Sequence, residues 1–271
     1  MEPGRFLLAL LALLISGPGG AAQPARDEVR PGGIVRWSAP GTETCDLEGR
    51  RWRPIAGTCY FPIDLLQAQG PLELARVRGG TRQTRRVVVA AYPYPVQRIE
   101  IPEDRMVHLS PEDLARVLRE QERLEPLWAR EGEERRFSLP LAAPLASDSK
   151  GRRFGSRRFI NGEPRNPHTG LDYAAPRGEP VRAVADGVVA LQDDFFFGGR
   201  SVFIDHGDGL ISMYMHLSRV DVAAGQTVER AQTIGAVGST GRATGPHLHF
   251  GLRWHGARID PGLLLGSGLD F

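Results

Sequence analysis

His247-Leu248-His249-Phe250-Gly251-Leu252 is the stretch that decides how this 271-residue chain is read. A strand has a period of two, so both imidazoles fall on one face and Leu248 on the other. Two neighbouring imidazoles are costly if merely buried. They make sense if at least one ligates a metal. His168 and Asp172, in His168-Thr169-Gly170-Leu171-Asp172, offer a second nitrogen and a carboxylate oxygen from a separate segment. Two histidines, one carboxylate and a water complete a tetrahedral zinc site with an open position. The charge of such a site lowers the pKa of water bound there. Spacing alone leaves open which of His247 and His249 is the ligand. The other one is left over, as is His216 in Tyr214-Met215-His216-Leu217, where Tyr214 is expected on the same side of its strand. A structural metal would want four protein ligands and no spares. Spare imidazoles beside a metal suit proton transfer and oxyanion stabilisation. The bland alternative is a set of unrelated histidines, some on the surface. His206, beside a hairpin turn, is read as structural. No His-Glu-x-x-His stretch occurs, which excludes a thermolysin-like scheme.

Working outward, Gly187–Leu191, Ser201–Asp205, Ile211–His216 and Thr233–Val237 read as further strands. Asn161-Gly162 predicts a tight hairpin, and Asp208-Gly209 joins two strands. From about Gly151 onward the texture is that of an antiparallel β domain. Gly238-Ser239-Thr240-Gly241 and Gly245-Pro246 are turn residues that lead into the His247 strand. No strand-loop-helix context makes them a nucleotide-binding loop. Phe195-Phe196-Phe197 cannot all face the core of one strand. Either Phe196 and Phe197 line a substrate groove together with Tyr214, or the three form a cluster over the sheet edge.

The C-terminal part resembles the lysostaphin-type zinc endopeptidases, which cleave peptide cross-bridges in peptidoglycan. The resemblance covers residues 151–265 and rests on an ordered set of motifs. These are Arg153-Phe154-Gly155-Ser156-Arg157, His168 through Asp172, Ala174 through Gly178, Val181 through Val188, Tyr214 through Leu217, and Gly241 through Phe250. It implies that His168, Asp172 and His249 bind zinc and that His216 and His247 are the catalytic histidines. It further implies a zinc-dependent endopeptidase acting on peptidoglycan peptide stems and cross-bridges. Some relatives keep the fold, lack the ligands, and act as wall-binding or amidase-activating proteins. The five intact positions weigh against that noncatalytic alternative. An amidase cutting between glycan and peptide is the enzymatic rival.

The rest of the chain sets the context. Arg5, the uncharged run Phe6–Ile15 and the small residues ending at Gly20-Ala21-Ala22 read as a secretory signal peptide over 1–22. The run is too short to span a bilayer. The expected product is exported, most simply to the periplasm, with no stable membrane insertion after cleavage. In an exported protein the two cysteines, Cys45 and Cys59, pair by default. The loop they close contributes about 3 kcal/mol by chain entropy. A small β-rich domain with this disulfide is expected over 23–105, and a helix and connection over 106–136. The helix starts at Ser110-Pro111-Glu112-Asp113, an N-cap followed by proline at the first helical position. Pro126 is expected to end or bend it. The zinc metallopeptidase domain, an antiparallel β-sheet with a groove, is expected over 137–271, so the fold class is mainly β. No substrate-binding repeat precedes it, and the N-terminal region is expected to restrain access to the groove. With 34 basic against 32 acidic residues the net charge is only +2, which argues against a nucleic-acid partner. All the basic residues but Lys150 are arginine, an excess that reads as base composition with no functional weight.

Overall fold

The structure, a computed structural model, describes residues 27–102, 104–130, 134–146 and 151–266. The expected signal peptide over 1–22 lies outside the described residues. No helix among the described residues is long and apolar enough to cross a membrane.

A seven-stranded sheet carries the C-terminal half. Its order is Gly170–Ala174, His247–Trp254, Leu210–Leu217, Gly199–Asp205, Gly187–Phe195 and Thr227–Val228, with Ala257–Ile259 also pairing to His247–Trp254. Every pairing in it is antiparallel. The central strands are apolar on both faces because both are covered. Val202, Ile204, Tyr214, Leu248, Phe250 and Leu252 turn to one core, whereas Phe203 and Met213 turn to a second, smaller one with Phe195 and Leu127. This is the period of two at work.

The helix Pro111–Trp128 closes that second core. Ser110 caps it, its Oγ accepting the Asp113 N–H at 3.1 Å. Pro126 neither ends nor replaces the last turn. It sits inside the helix, which continues to Trp128 so that Leu127 is buried in the second core. Proline there forgoes the N–H bond to the carbonyl four residues back, and the packing of Leu127 offsets that loss.

The N-terminal region holds a five-stranded sheet ordered Glu28–Val29, Thr81–Val89, Gly70–Arg78, Thr42–Leu47 and Arg50–Trp52. Cys45 and Cys59 form the expected disulfide, fully buried in a cluster with Trp52, Phe61 and Leu74. The boundary expected at residue 105 does not separate two packing units. Ile34, Tyr60 and Leu65 belong to the same core as Leu248 and Trp254. The strand Val96–Ile99 runs parallel to Arg157–Ile160, which forms the expected hairpin with Glu163–Arg165 through Asn161-Gly162. The two ends of the chain are clasped as well. Arg30 Nη2 meets Asp260 Oδ2 at 2.7 Å, Arg258 Nη1 meets Asp64 Oδ1 at 3.0 Å, and the Leu65 N–H donates to the Arg258 carbonyl at 3.1 Å.

Candidate metal centre

Asp172 and His249 stand directly opposite each other on neighbouring strands, and Met215 pairs with His249 on the other side. The even residues Leu248 and Phe250 enter the main core. His247 and His249 are thereby left on the opposite face, as the alternation requires. His168 arrives from the turn before Gly170–Ala174. Its N–H donates to the Ser156 carbonyl at 2.9 Å, and its own carbonyl accepts the Gly155 N–H at 2.8 Å. Nδ1 of its buried ring lies 2.9 Å from the Arg153 carbonyl. A carbonyl can only accept, so the proton sits on Nδ1 and Nε2 presents a lone pair.

Three ligand-type atoms converge. His168 Nε2 lies 2.9 Å from Asp172 Oδ1 and 2.9 Å from His249 Nδ1, and His249 Nδ1 lies 3.0 Å from Asp172 Oδ1. These three residues are a candidate metal-holding group among the described residues. One proton on His249 Nδ1 can serve only one of the two facing acceptors, so the protein alone leaves this triangle short of donors. A cation satisfies all three atoms at once. Tetrahedral zinc with bonds of about 2.0–2.1 Å has ligand edges of about 3.3 Å, slightly wider than this triangle. The residues fit the ion.

The electrostatics favour ligands in their deprotonated forms. Burial pushes the His168 imidazole down to about 4, despite the Asp172 carboxylate beside it. Burial alone would raise Asp172, but the His168 and His249 rings that face it outweigh that and hold it well below the usual carboxylate range. Arg158 Nη2 and Arg153 Nη1 add positive charge 3.7 and 4.0 Å from Asp172 Oδ2.

Two further imidazoles border the group. The His216 and His247 ring centroids are 4.7 Å apart, and that of His216 is 6.1 Å from His249. His216 Nδ1 donates to the Thr240 carbonyl at 2.8 Å, and His247 Nδ1 to that of Gly245 at 2.9 Å. In a neutral ring held this way the lone pair is on Nε2. The His247 Nε2 lies 3.9 Å from Asp172 Oδ1. Burial, then the neighbouring His249 and His247, push His216 down to about 3, so it is neutral at ordinary pH. His216 has φ 64°, a left-handed backbone rare for a non-glycine residue. The register between Gly199–Asp205 and Leu210–Leu217 shifts at this point, pairing Val202 with Tyr214 but Arg200 with Leu217. This bulge re-aims His216 out of the core and toward His247.

The bulge also corrects an expectation. Tyr214 is not on the His216 side and lines no groove. It is fully buried in the main core, with its hydroxyl accepting the Val184 N–H at 3.0 Å. Phe196 is buried too, held beneath Arg105 and Arg116 while its N–H donates to Glu120 at 2.9 Å. Phe197 stands behind Arg242, whose guanidinium lies 4.2 Å from its ring centroid. The three aromatics thus follow the sheet-edge alternative. The cleft at the centre, about 790 Å³, is lined instead by Ile99, Ile101 and Ile160, by His216 and His247, and by four arginines. Composition hid those arginines, and strand Val96–Ile99 came from a region assigned elsewhere. The Arg-Phe-Gly-Ser-Arg motif was a signal for the Arg153 carbonyl, but only as a resemblance.

Fold and site together define a mainly β protein with a two-histidine, one-aspartate centre of metal-binding type. Residues 166–261 match peptidase family M23. A putative M23 peptidase of Pseudomonas aeruginosa, known from its crystal structure, shares 32% identity over 88% of this chain and 95% of that one, with a TM-score of 0.67. The chain belongs to peptidase family M23. It is also 49% identical over 94 residues to a DD-carboxypeptidase/endopeptidase of Neisseria meningitidis serogroup B, and 45% identical over 94 residues to the peptidoglycan DD-endopeptidase ShyA of Vibrio cholerae. Each match takes in 35% of this chain and 22% of the relative, so the chain spans about a fifth of those relatives' length.

Proposed function

We propose that this protein is a zinc-dependent endopeptidase that hydrolyses peptide cross-links in peptidoglycan. The observation that carries the proposal is the convergence of three ligand-type atoms at 2.9–3.0 Å, with the His216 and His247 rings beside them. His168, Asp172 and His249 hold the zinc in this reading. When bound, it supplies the positive charge that polarises a scissile carbonyl and acidifies water. His216 and His247 do the rest through Nε2. They accept the proton of the attacking water, hydrogen-bond the developing oxyanion once protonated, and return a proton to the leaving amine. Their Nδ1–H bonds to fixed carbonyls keep both rings in the tautomer this requires.

The relatives named for DD-endopeptidase activity support peptidoglycan as the substrate. The buried disulfide and the apolar run Phe6–Ile15 support an exported, periplasmic protein. Gln97, Ile99 and Ile101 stand at the cleft and support restraint by the N-terminal region. If they restrain, Ile99→Ala with Ile101→Ala raises the rate on intact wall relative to a small soluble peptide. An unchanged ratio removes the restraint.

Digestion of intact peptidoglycan by the zinc-loaded protein, followed by mass analysis, tests the main reading. Cross-linked muropeptides converted to monomers support it. Release of whole peptides from glycan indicates the amidase instead, and binding without products the noncatalytic alternative.

A further inference from the structure

The cleft carries positive charge that its own carboxylates do not balance. Among the described residues, Arg152, Arg153, Arg158 and Arg242 line it against one carboxylate, Asp172. Asp172 is committed through Oδ1 to His168 and His249. Its Oδ2 is 3.7 Å from Arg158 and 4.0 Å from Arg153, too far for a hydrogen bond to either.

Two of these arginines are held in place with most of their donors unused by the described residues. Arg158 is anchored through Nε to Gln97 Oε1 at 3.2 Å, and its side chain is only 21% exposed. The Arg242 guanidinium lies over the Phe197 ring, 4.2 Å from its centroid, and its hydrogen bond among the described residues, to the Met106 carbonyl, is long at 3.4 Å. Burial and the repulsion of Arg158 and Arg165 push Arg242 down to about 10. Nearby Arg165 is a contrast, being satisfied by Glu163 and the Val107 carbonyl. Half-buried guanidinium groups that repel one another favour an anion between them, and their planar fork matches a carboxylate.

We propose that Arg158 and Arg242 form a subsite for a free carboxylate of the peptide substrate, carried by the residue that flanks the scissile amide. The proposal rests on the peptide-hydrolysis reading above. The flanking position follows from Arg158, which lies beside the oxygen that Asp172 leaves unused next to the candidate metal group. The chemistry then selects a class of cross-link. Where a diaminodicarboxylic acid is joined directly through its side-chain amine, the carbon bearing the leaving amine also bears a carboxylate. A bridge of glycines offers only amides at that place. The subsite favours the first.

The test uses two soluble cross-linked peptides that differ only in this group, free carboxylate or carboxamide. Binding to the zinc-loaded full chain is followed by calorimetry, and turnover is measured in parallel. The wild type is expected to bind the carboxylate peptide about tenfold more tightly, the effect of a charge-assisted pair. Arg242→Gln and Arg158→Gln are each expected to move the ratio toward one, with partial recovery in Arg242→Lys. Arg242→Gln decides the matter if Arg158→Gln loses zinc through its neighbour Asp172. Equal binding of both peptides by the wild type overturns the subsite, as does a variant that weakens both alike and keeps the ratio. Discrimination without cleavage of either peptide defeats the hydrolysis reading and leaves the subsite standing. Equal binding with equal cleavage does the reverse.

Discussion

His168 and His206 are two imidazoles with the same burial and opposite surroundings. Both are wholly out of solvent, and burial pushes both down to about 4. Both place Nδ1 against a backbone carbonyl, Arg153 for the first and Asp186 for the second. They part at Nε2. In His206 that nitrogen meets the Ser212 hydroxyl at 2.7 Å, and Ser212 Oγ lies 3.1 Å from the Tyr214 hydroxyl. Hydroxyls donate as well as accept, so the network closes within the protein. In His168, Nε2 meets a carboxylate oxygen and another imidazole nitrogen, and the count of protons falls short. Burial and a depressed pKa therefore do not mark a site. An unbalanced set of acceptors does, because only a cation completes it.

The largest effect expected from this contrast comes from His249→Ala. It removes one corner of the triangle, and zinc affinity should fall by more than about 100-fold, beyond the loss caused by altering an outer partner. Metal content after dialysis checks it, and stoichiometric zinc at wild-type affinity would remove His249 from the group. His216→Ala comes next. It should lower turnover by about 10²- to 10⁴-fold while zinc stays bound. Steady-state rates at equal metal occupancy decide, and near-normal turnover would strip His216 of its role.

Gly170→Ala sharpens the comparison without touching a ligand. A Cβ there would lie 2.5 Å from the Phe250 carbonyl and 2.7 Å from His249 Nε2. The His249 ring must shift, and zinc affinity should drop by about 10- to 100-fold. Competition with a chelator measures it. If affinity holds, the ring position is less exacting than the triangle suggests.

The smallest effect belongs to His206. The unfolded chain protonates it near its ordinary 6.5, whereas the folded chain keeps it neutral down to about 4. Its contribution to stability is present in full above pH 6.5 and is lost as pH falls through that window. Between pH 7 and pH 5 the loss is about 2 kcal/mol. Denaturant unfolding of His206→Gln at both pH values should show a slope flatter by that amount, with zinc binding unchanged at pH 7. A slope equal to that of the wild type would show that other buried groups carry the acid sensitivity.

The parts legible in the sequence are those governed by local rules. Ser110 caps its helix, Asn161-Gly162 turns its hairpin, and His247 and His249 share a face because strands alternate. The pairing of His168 with Asp172 was legible as donor chemistry, and its partner His249 through resemblance. What escaped depends on tertiary context. Strict alternation through Tyr214 to His216 misplaces Tyr214, since a bulge between them depends on the neighbouring strand. Phe196 lost its groove to a helix that arrives from 80 residues earlier in the chain to meet it at Glu120 and Arg116 (a separation of 76 residues for the former). The arginines looked like composition until the fold gathered four of them around one carboxylate.

The clasp between the chain's two ends bears on the order of folding. Arg30 and Asp260 are 230 residues apart in sequence, and Asp64 and Arg258 are 194 apart. Contacts of such separation close very long loops, and the entropy of closure must be met before they return any energy. The hairpins around Gly79-Gly80 and Asn161-Gly162 need only their own neighbours. During synthesis the disulfide-bearing sheet has its partners at hand early, but the seam that joins it to the His249 sheet waits for residues 258 to 260.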